Sequence, residues 1–188
     1  DNDLFNVHYK ITPYAKKYSP DNIDSLYIQK KIEGIFGFRN YADQSNDGDF
    51  SNFYVFQSEG GLECVYYNSS ADISYEFVTN QWYHVAIVYD GSTISSYLNG
   101  ILMNSNSTLG ELSITTTDFL LGLNEVTIGT LNYFDGYLDE VSLWSDALTQ
   151  EEIQSYISTP PMSNEENLVG YWKFNAGEGS TLYDHSGN

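Results

Sequence analysis

Basic side chains are scarce in this sequence. Of its 188 residues, 7 are Lys or Arg and 26 are Asp or Glu, so the formal net charge at pH 7 is −19. A chain with this charge repels phosphate backbones, so nucleic acid is not a predicted partner. The acidic excess suits a surface that meets divalent cations outside the cell, and keeping the protein in solution is an equally good interpretation.

Cysteine occurs once, as Cys64, so an internal disulfide is excluded. Strand alternation places Cys64 on one face with Leu62 and Tyr66, which predicts a buried structural thiol rather than a reactive one. The lack of disulfides favours a bacterial surface protein over a small secreted animal domain.

Long apolar runs are also absent. None approaches the ~18 residues that a membrane span needs, so membrane insertion is not predicted. Residues 1–3 (Asp-Asn-Asp) do not resemble a secretion leader, so a leader has been removed or the chain is a segment of a longer protein. With 41% hydrophobic and 16% aromatic residues, the chain has the composition of one folded domain.

Recognisable catalytic sets are missing too. A retaining glycosidase needs two carboxylates ~5–5.5 Å apart, which on one strand face means alternate residues. Asp139 and Glu140 are adjacent and therefore point to opposite faces. The three histidines are scattered and no Gly-x-Ser-x-Gly elbow occurs, so we predict no catalytic residues and no enzyme.

The sequence does contain many short runs of Val, Ile, Tyr, Phe and Thr separated by Gly, Asn, Asp and Ser, a pattern typical of strands and turns. The predicted strands are 4–10, 25–30, 32–38, 53–57, 61–67, 72–77, 82–89, 93–99, 118–121, 125–129, 136–144 and 168–174.

Both faces of the strand predicted over 82–89 are apolar, as in the centre of a sandwich. Trp82 and Trp172 are therefore expected to be buried, and His84 is expected to be a core histidine. Asp90-Gly91 and Asn99-Gly100 predict tight turns on either side of the next strand.

One segment has helical character. Thr149 and Glu152 have the spacing of a capping box, and Ile153, Tyr156 and Ile157 follow at helical intervals. We predict one short helix near 149–157, ended by two prolines. Many strands with one helix indicate an all-β sandwich of two antiparallel sheets.

Two groups of motifs are distinctive: residues 80–86, 89–92 and 96–100, and residues 136–144 and 147–153. The first group resembles the central hairpin, and the second the closing strand and helix, of laminin-G-like, concanavalin A-like lectin and glucanase domains. The resemblance implies a jelly-roll sandwich.

The family's opening strand motif is placed at the wrong end of this chain. Residues 168–174 and the turn 183–188 resemble the opening strand and turn, so Asn188 reads as though it should connect to Asp1. The motif order is therefore that of a permuted fold or of a tandem repeat.

This order suggests a division of the chain. We predict a sandwich body over 1–158, a linker over 159–167, and a strand and turn over 168–188. The final part completes either this sandwich or the next repeat, so neighbouring copies are predicted partners through strand complementation.

A calcium loop is one candidate site. Residues 43–49 place oxygen-bearing side chains at alternate positions around Gly48, and the candidate ligands are Asp43, Ser45, Asp47 and Asp49. Position 12 of such a loop is Tyr54 rather than Glu, so the alternative is a solvated hairpin loop.

The resemblance implies a second, structural calcium site. Jelly rolls of this kind often hold calcium where the opening turn meets the closing strand, which points to Asp184, Asn188 and Asp139. The alternative is a turn in which Asp184 accepts hydrogen bonds from its own backbone.

Three functions follow as hypotheses. The first is a non-catalytic, extracellular adhesive or structural repeat of a cell-surface protein that binds glycans or surface proteins. The second is a carbohydrate-binding module, and the third, weakest, is a glycoside hydrolase. No ligand-binding residue is singled out, although exposed aromatics would serve a sugar site, with candidates at Tyr41, Tyr54, Tyr66, Tyr67 and Tyr133.

Overall fold

A computed structural model describes residues 6–13, 33–38, 53–58, 60–66, 69–107, 119–127 and 130–188. Its elements are β1 (Asn6–Pro13), β2 (Glu33–Phe38), β3 (Phe53–Ser58), β4 (Gly61–Tyr66), β5 (Ser69–Ser70), β6 (Ile73–Ser74), β7 (Tyr83–Tyr89), β8 (Thr93–Leu98), β9 (Ile101–Ser107), β10 (Phe119–Leu121), β11 (Leu123–Thr127), β12 (Thr130–Tyr133), β13 (Gly136–Trp144), α1 (Gln150–Ser158) and β14 (Leu168–Trp172).

The strands form two sheets. One has the order β14-β13-β1-β7-β8-β9, and the other has the order β11-β12-β2-β3-β4-β5, with β10 paired to β2 and β6 paired to β4. Pairing is antiparallel except between β12 and β2. Two mainly antiparallel sheets with one short helix confirm the predicted all-β, jelly-roll class.

The main core lies between the sheets. Alternation along β7 sends Tyr83, Val85, Ile87 and Tyr89 into it, where they meet Phe53, Leu62, Cys64 and other buried residues of the second sheet. Cys64 is fully buried, as predicted, and burial raises the pKa of its thiol, with smaller contributions from the Asp72 and Glu63 carboxylates.

The opposite face of the first sheet carries the helix. Ala86 and Val88 of β7 pack with Trp144, Leu148 and Ile153 in a second apolar cluster. The helix starts with the predicted capping box: the Glu152 N–H donates to Thr149 Oγ1 over 3.3 Å, and the Thr149 N–H donates to Glu152 Oε2 over 2.7 Å.

The helix is held at the turn between β8 and β9. The side-chain amides of Gln150 and Gln154 both donate to the Gly100 carbonyl, over 3.0 and 2.9 Å. Gly100 has φ +75°, and a Cβ there would lie 2.7 Å from Gln154 Cγ and 3.0 Å from Ile157 Cδ1. Only glycine meets both requirements without strain.

The terminal strand β14 pairs with β13 of the same chain. The segment 183–188 then follows the outer edge of β14: the Tyr171 N–H donates to Asp184 Oδ1 over 2.9 Å, and the His185 N–H donates to the Tyr171 carbonyl over 2.7 Å. An edge that would otherwise be open is thereby covered. The division at 158 and 167 stays a prediction, as does pairing between copies, and Asp1 lies outside the described residues.

Several predicted elements need correction. Trp82 precedes β7 and is 49% exposed, and Trp172 is half-buried, against the inter-sheet core. The predicted strand 72–77 is reduced to Ile73–Ser74, while β9 and β12 were not predicted. The predicted strand 25–30 lies outside the described residues. In the described part of the chain, no helix has both the length and the apolar character needed to cross a membrane.

Candidate functional site

Three strands of the first sheet, β1, β7 and β13, begin or end at the same end of the sandwich. Pro13 pairs with Gly136, Thr12 with Tyr137, and Ile11 with Tyr83, so β1 ends where β13 and β7 begin. Trp82 immediately precedes β7. This register brings Tyr137 and Trp82 to the same end of the molecule.

The second sheet reaches the same end through β12 and the β3–β4 hairpin. Tyr133 is the last residue of β12 and pairs with Gly34, which is next to the Glu33–Gln57 pair. The short connection 134–135 leads directly from β12 into β13. The two sheets are therefore joined beside Tyr133 and Tyr137.

Aromatic contacts tie the sheets together here. The ring centroid of Tyr83 lies 5.7 Å from that of Tyr75 and 4.8 Å from that of Phe77, in edge-to-face arrangements. The Val78 N–H donates to the Tyr83 hydroxyl over 2.9 Å. These contacts fix the chain between β6 and β7 and hold the Tyr75 ring at the surface.

The end is rich in exposed aromatic rings. Among the described residues, five aromatic side chains are strongly exposed, and four of them lie here: Tyr75 at 39%, Trp82 at 49%, Tyr133 at 64% and Tyr137 at 56%. We call these four residues the aromatic end. Rings of this size are usually buried, so four exposed rings at one end make this end a candidate contact surface.

The Tyr75 phenol is available for hydrogen bonding as a neutral group. The pKa of Tyr75 is raised above its usual value, first by the neighbouring Tyr83 phenol and then by desolvation and their hydrogen bond. The phenol is therefore neutral at physiological pH. A neutral phenol both donates and accepts hydrogen bonds while its ring offers an apolar face.

A small cavity of about 180 Å³ lies beside the aromatic end, at the β3–β4 hairpin. It is lined by Ser58, Gly60, Gly61, Leu62, Glu63, Asp72, Ile73 and Ser74. Gly61 is required there, because a Cβ would lie 2.0 Å from the Ile73 carbonyl oxygen. Hydroxyl and carboxylate oxygens thus lie beside Tyr75, which follows Ser74, although ligand pockets are usually larger, at ~300 Å³ or more.

The carboxylate of Asp72 has a structural task in this cavity wall. Its Oδ1 accepts from the Cys64 N–H over 3.1 Å, and its Oδ2 accepts from the Ser70 hydroxyl over 3.1 Å. Asp72 therefore fixes the loop before β6 to β4, and its oxygens are directed to the protein. Glu63 lies on the outward-facing side of β4, opposite Phe56.

The predicted calcium set at the C-terminal turn is engaged by the backbone. Asp184 Oδ1 accepts from the N–H groups of Tyr171 and Ser186, over 2.9 and 2.8 Å. The Asn188 amide donates to the Leu168 and Val169 carbonyls, over 2.8 and 3.2 Å. This is the backbone-bonded turn that the sequence left open as the alternative.

Asp139 lies in β13, where its Oδ1 accepts from the Glu140 N–H over 3.0 Å. Within the described ranges, no group of three or more His, Cys, Asp or Glu side chains has the arrangement of a metal site. Asp139, Asp184 and Asn188 therefore stay a predicted ligand set, and no step below depends on calcium. Asp43, Ser45, Asp47 and Asp49 lie outside the described residues.

Glu140 links β13 to β14 through a hydrogen bond with Tyr171. It adopts φ +53° within β13, and its Oε2 accepts a short hydrogen bond from the Tyr171 hydroxyl. Partial burial and this hydrogen bond raise the pKa of Tyr171. Glu140 therefore ties β13 to β14.

The sequence predicted only some of the exposed aromatic residues at this end. Tyr133 is exposed and Tyr66 is buried, while Tyr41 and Tyr67 lie outside the described residues. Trp82, Tyr75 and Tyr137 were not among the predicted candidates. The available signal was position, because each of them lies at or near a strand end: Tyr75 follows β6, Trp82 precedes β7, and Tyr137 is the second residue of β13.

Comparisons with known proteins agree with this fold. The family model of the concanavalin A-like lectin/glucanases superfamily matches residues 27–154, well over half of the chain. Human pappalysin-1 is 26% identical over 168 residues, which are 84% of this chain and 10% of that protein. The chain thus spans about a tenth of the length of the curated relatives it matches.

Solved structures are similar over most of the chain. A candidate carbohydrate-binding protein from Bacteroides ovatus has a TM-score of 0.71 and 18% identity, covering 99% of this chain and 50% of that one. The CBM40 of a Ruminococcus gnavus IT-sialidase, bound to α2,3-sialyllactose, has a TM-score of 0.56 and 15% identity, covering 81% of this chain and 82% of that one. Together with the family match, the fold and the helix packing identify this chain as a member of the concanavalin A-like lectin/glucanases superfamily.

Proposed function

We propose that this chain is a carbohydrate-binding module that holds sugar rings against its aromatic end. The observation that carries the proposal is the gathering of four exposed rings at one end of the sandwich. Each pyranose presents a face of C–H groups that packs on a flat aromatic ring, while its hydroxyls reach nearby polar atoms.

The surroundings supply those polar atoms. The hydroxyls of Ser58 and Ser74 and the carboxylate of Glu63 line the adjacent cavity, and the Tyr75 phenol stays protonated well above neutral pH. Hydrogen-bonding groups beside an apolar platform give a sugar both affinity and orientation. The carbohydrate-related names of two similar structures support this ligand class.

The same reasoning makes binding, not turnover, the proposed role. The Glu140 carboxylate accepts from Tyr171 and the Asp72 carboxylate accepts from Cys64 and Ser70, so both are engaged in holding the fold. The module is proposed to act in a secreted or cell-surface setting, as one part of a longer protein. An adhesive role in that protein stays a prediction from the sequence.

The test is a glycan array followed by calorimetry. The array should contain linear plant and microbial polysaccharides and sialylated glycans, and the best glycan is then titrated into the wild type, Trp82→Ala and Tyr133→Ala. We expect losses of tenfold or more, since a central aromatic anchor contributes ~2 kcal/mol or more.

Tyr183→Ala is the matched control, because Tyr183 is equally exposed but belongs to the C-terminal segment. It should bind like the wild type. Binding to no glycan of the array, or equal binding by all four proteins, would overturn the proposal.

A further inference from the structure

Trp82 and Tyr137 form a pair within the aromatic end. Tyr137 pairs with Thr12 across the β13–β1 ladder. On the other side of β1, Ile11 pairs with Tyr83, so the next position in the register places Trp82 beside Thr12. Tyr137 and Thr12 therefore pair in neighbouring strands, and Trp82 lies at the position just before β7 that continues this row.

The two rings of this row lie on the same face of the sheet. Tyr83 and Leu138 contribute to the core between the sheets. Since successive residues of a strand point to opposite faces, Trp82 and Tyr137 belong to the outer face. Their exposures of 49% and 56% agree with this assignment.

Among the described residues, the elements that pack on the outer face of this sheet lie to one side of the Trp82–Tyr137 pair. The helix and its partners cover the part of the sheet around Ala86, Val88 and Trp144. Neither Trp82 nor Tyr137 belongs to that cluster. The helix is held at Gly100, on the β8 side of β7, and a ligand that runs from Trp82 towards Tyr137 crosses β1 and β13 in the opposite direction.

The separation of the two rings sets the size of the ligand. They are two strands apart, which corresponds to roughly 9–10 Å between their Cα positions in the sheet. A single pyranose ring is too small to pack on both. A chain of sugars spans this distance, with one ring on Trp82, the next over the strand between, and a third on Tyr137.

We infer that the aromatic end binds linear glycans along their length, using Trp82 and Tyr137 as two platforms for sugars that are not adjacent in the chain. This inference rests on the proposed function and specifies its ligand class. A terminal sugar occupies one platform alone. Affinity should therefore depend on chain length, with a step when the ligand becomes long enough to reach both rings.

The experiment uses oligosaccharides of two to six residues cut from the linear polysaccharide that the array identifies, titrated by calorimetry. We expect the trisaccharide to bind at least tenfold more tightly than the disaccharide, and further residues to add little. Trp82→Leu and Tyr137→Leu keep apolar volume but remove the flat ring, so their melting temperatures should stay near that of the wild type. Each should abolish the step.

The double variant completes the test. With the hexasaccharide, either single substitution should lower the affinity to about that of the disaccharide, because losing either platform leaves a one-platform ligand. With the disaccharide, each single substitution should reduce the affinity much less than the double substitution does, because the other platform remains. The methyl glycoside of the single sugar serves as the one-platform probe and should bind no better than the disaccharide.

The two possible failures are distinguishable. If no glycan binds, the proposed function fails and this inference fails with it. If a glycan binds but the affinity has no step with length, if either single variant keeps the full affinity for the hexasaccharide, or if the methyl glycoside binds as tightly as the hexasaccharide, the proposed function stands and the two-platform inference is overturned.

Discussion

Asp184 shows how one carboxylate can hold a terminal segment. Its Oδ1 accepts from Tyr171 of β14 and from Ser186 two residues further along the chain. Partial burial opposes ionisation, and the hydrogen bonds from Ser186 and Tyr171 outweigh it, so the pKa of Asp184 is lowered. A group with a lowered pKa stabilises the fold at neutral pH.

We therefore expect Asp184→Ala to reduce the free energy of unfolding by about 1 kcal/mol at pH 7, since the carboxylate is largely exposed. The contribution is complete above the unfolded pKa of Asp, ~3.9, and is lost as the pH falls through the lower folded value. The difference between wild type and variant should thus shrink below pH ~4 in urea titrations. Glu178→Ala, an exposed acid of the same segment, is the control, and an equal loss in both variants would contradict this role.

Trp82 shows where residue-scale prediction from sequence fails. Alternation correctly places Tyr83, Val85, Ile87 and Tyr89 on one face of β7 and the residues between them on the other face. Alternation does not show where the neighbouring sheet ends. Trp82 is exposed because it lies one residue before β7, at the end of the sandwich, beyond the part of this face that the described helix covers. Strand alternation therefore did not predict Trp82 as a platform for sugars.

At the scale of elements, local signals were sufficient for the helix. The capping box and the helical spacing of Ile153 and Tyr156 are contained within nine residues, and α1 forms at Gln150–Ser158. In β9, by contrast, the run Asn104–Ser107 has no apolar residue, and the strand exists because the Asn99-Gly100 turn returns the chain along β8. Its pairing depends on another strand, so its own sequence did not predict it.

The close contact between α1 and Gly100 gives a prediction about the stability of the fold. Gly177→Ala places a Cβ at a φ of +70° with no atom within 4 Å, so it measures backbone strain alone, about 1 kcal/mol. Gly100→Ala adds contacts with Gln154 and Ile157 to the same strain. We expect it to cost about 1–2 kcal/mol more in urea unfolding. Equal losses in the two variants would show that the helix does not depend on this close approach.

At the scale of the whole molecule, calcium remains a prediction from the sequence. An ion that binds the native state alone adds ~2.7 kcal/mol at a hundredfold excess over its Kd. We expect the melting temperature to be higher in calcium than in EDTA. The calcium-dependent difference should vanish in Asp43→Ala if the loop 43–49 binds, or in Asp184→Ala if the C-terminal turn binds. An unchanged melting temperature would remove both sites.

The terminal strand contributes side chains to both apolar clusters of the sandwich. Leu168 and Tyr171 are buried in the cluster beneath α1, and Trp172 packs against Phe119 of the other sheet with ring centroids 5.7 Å apart. Burying side chains of this size contributes several kcal/mol at ~25 cal/mol per Å². A typical domain has only ~5–15 kcal/mol of net stability, so we do not expect the domain to stay folded without β14.

Deleting residues 162–188 should therefore give a chain that is unfolded or aggregated, because the edge of β13 and the face around Trp144 lose their cover. Size-exclusion chromatography and circular dichroism measure the outcome. Adding a synthetic peptide of residues 162–188 should restore a folded, monomer-sized complex, which is the reaction that complementation between neighbouring copies would also use. A truncated chain that stays monomeric with an unchanged melting temperature would show that β14 contributes nothing to the fold, and the predicted exchange of this strand between repeats would lose its physical basis.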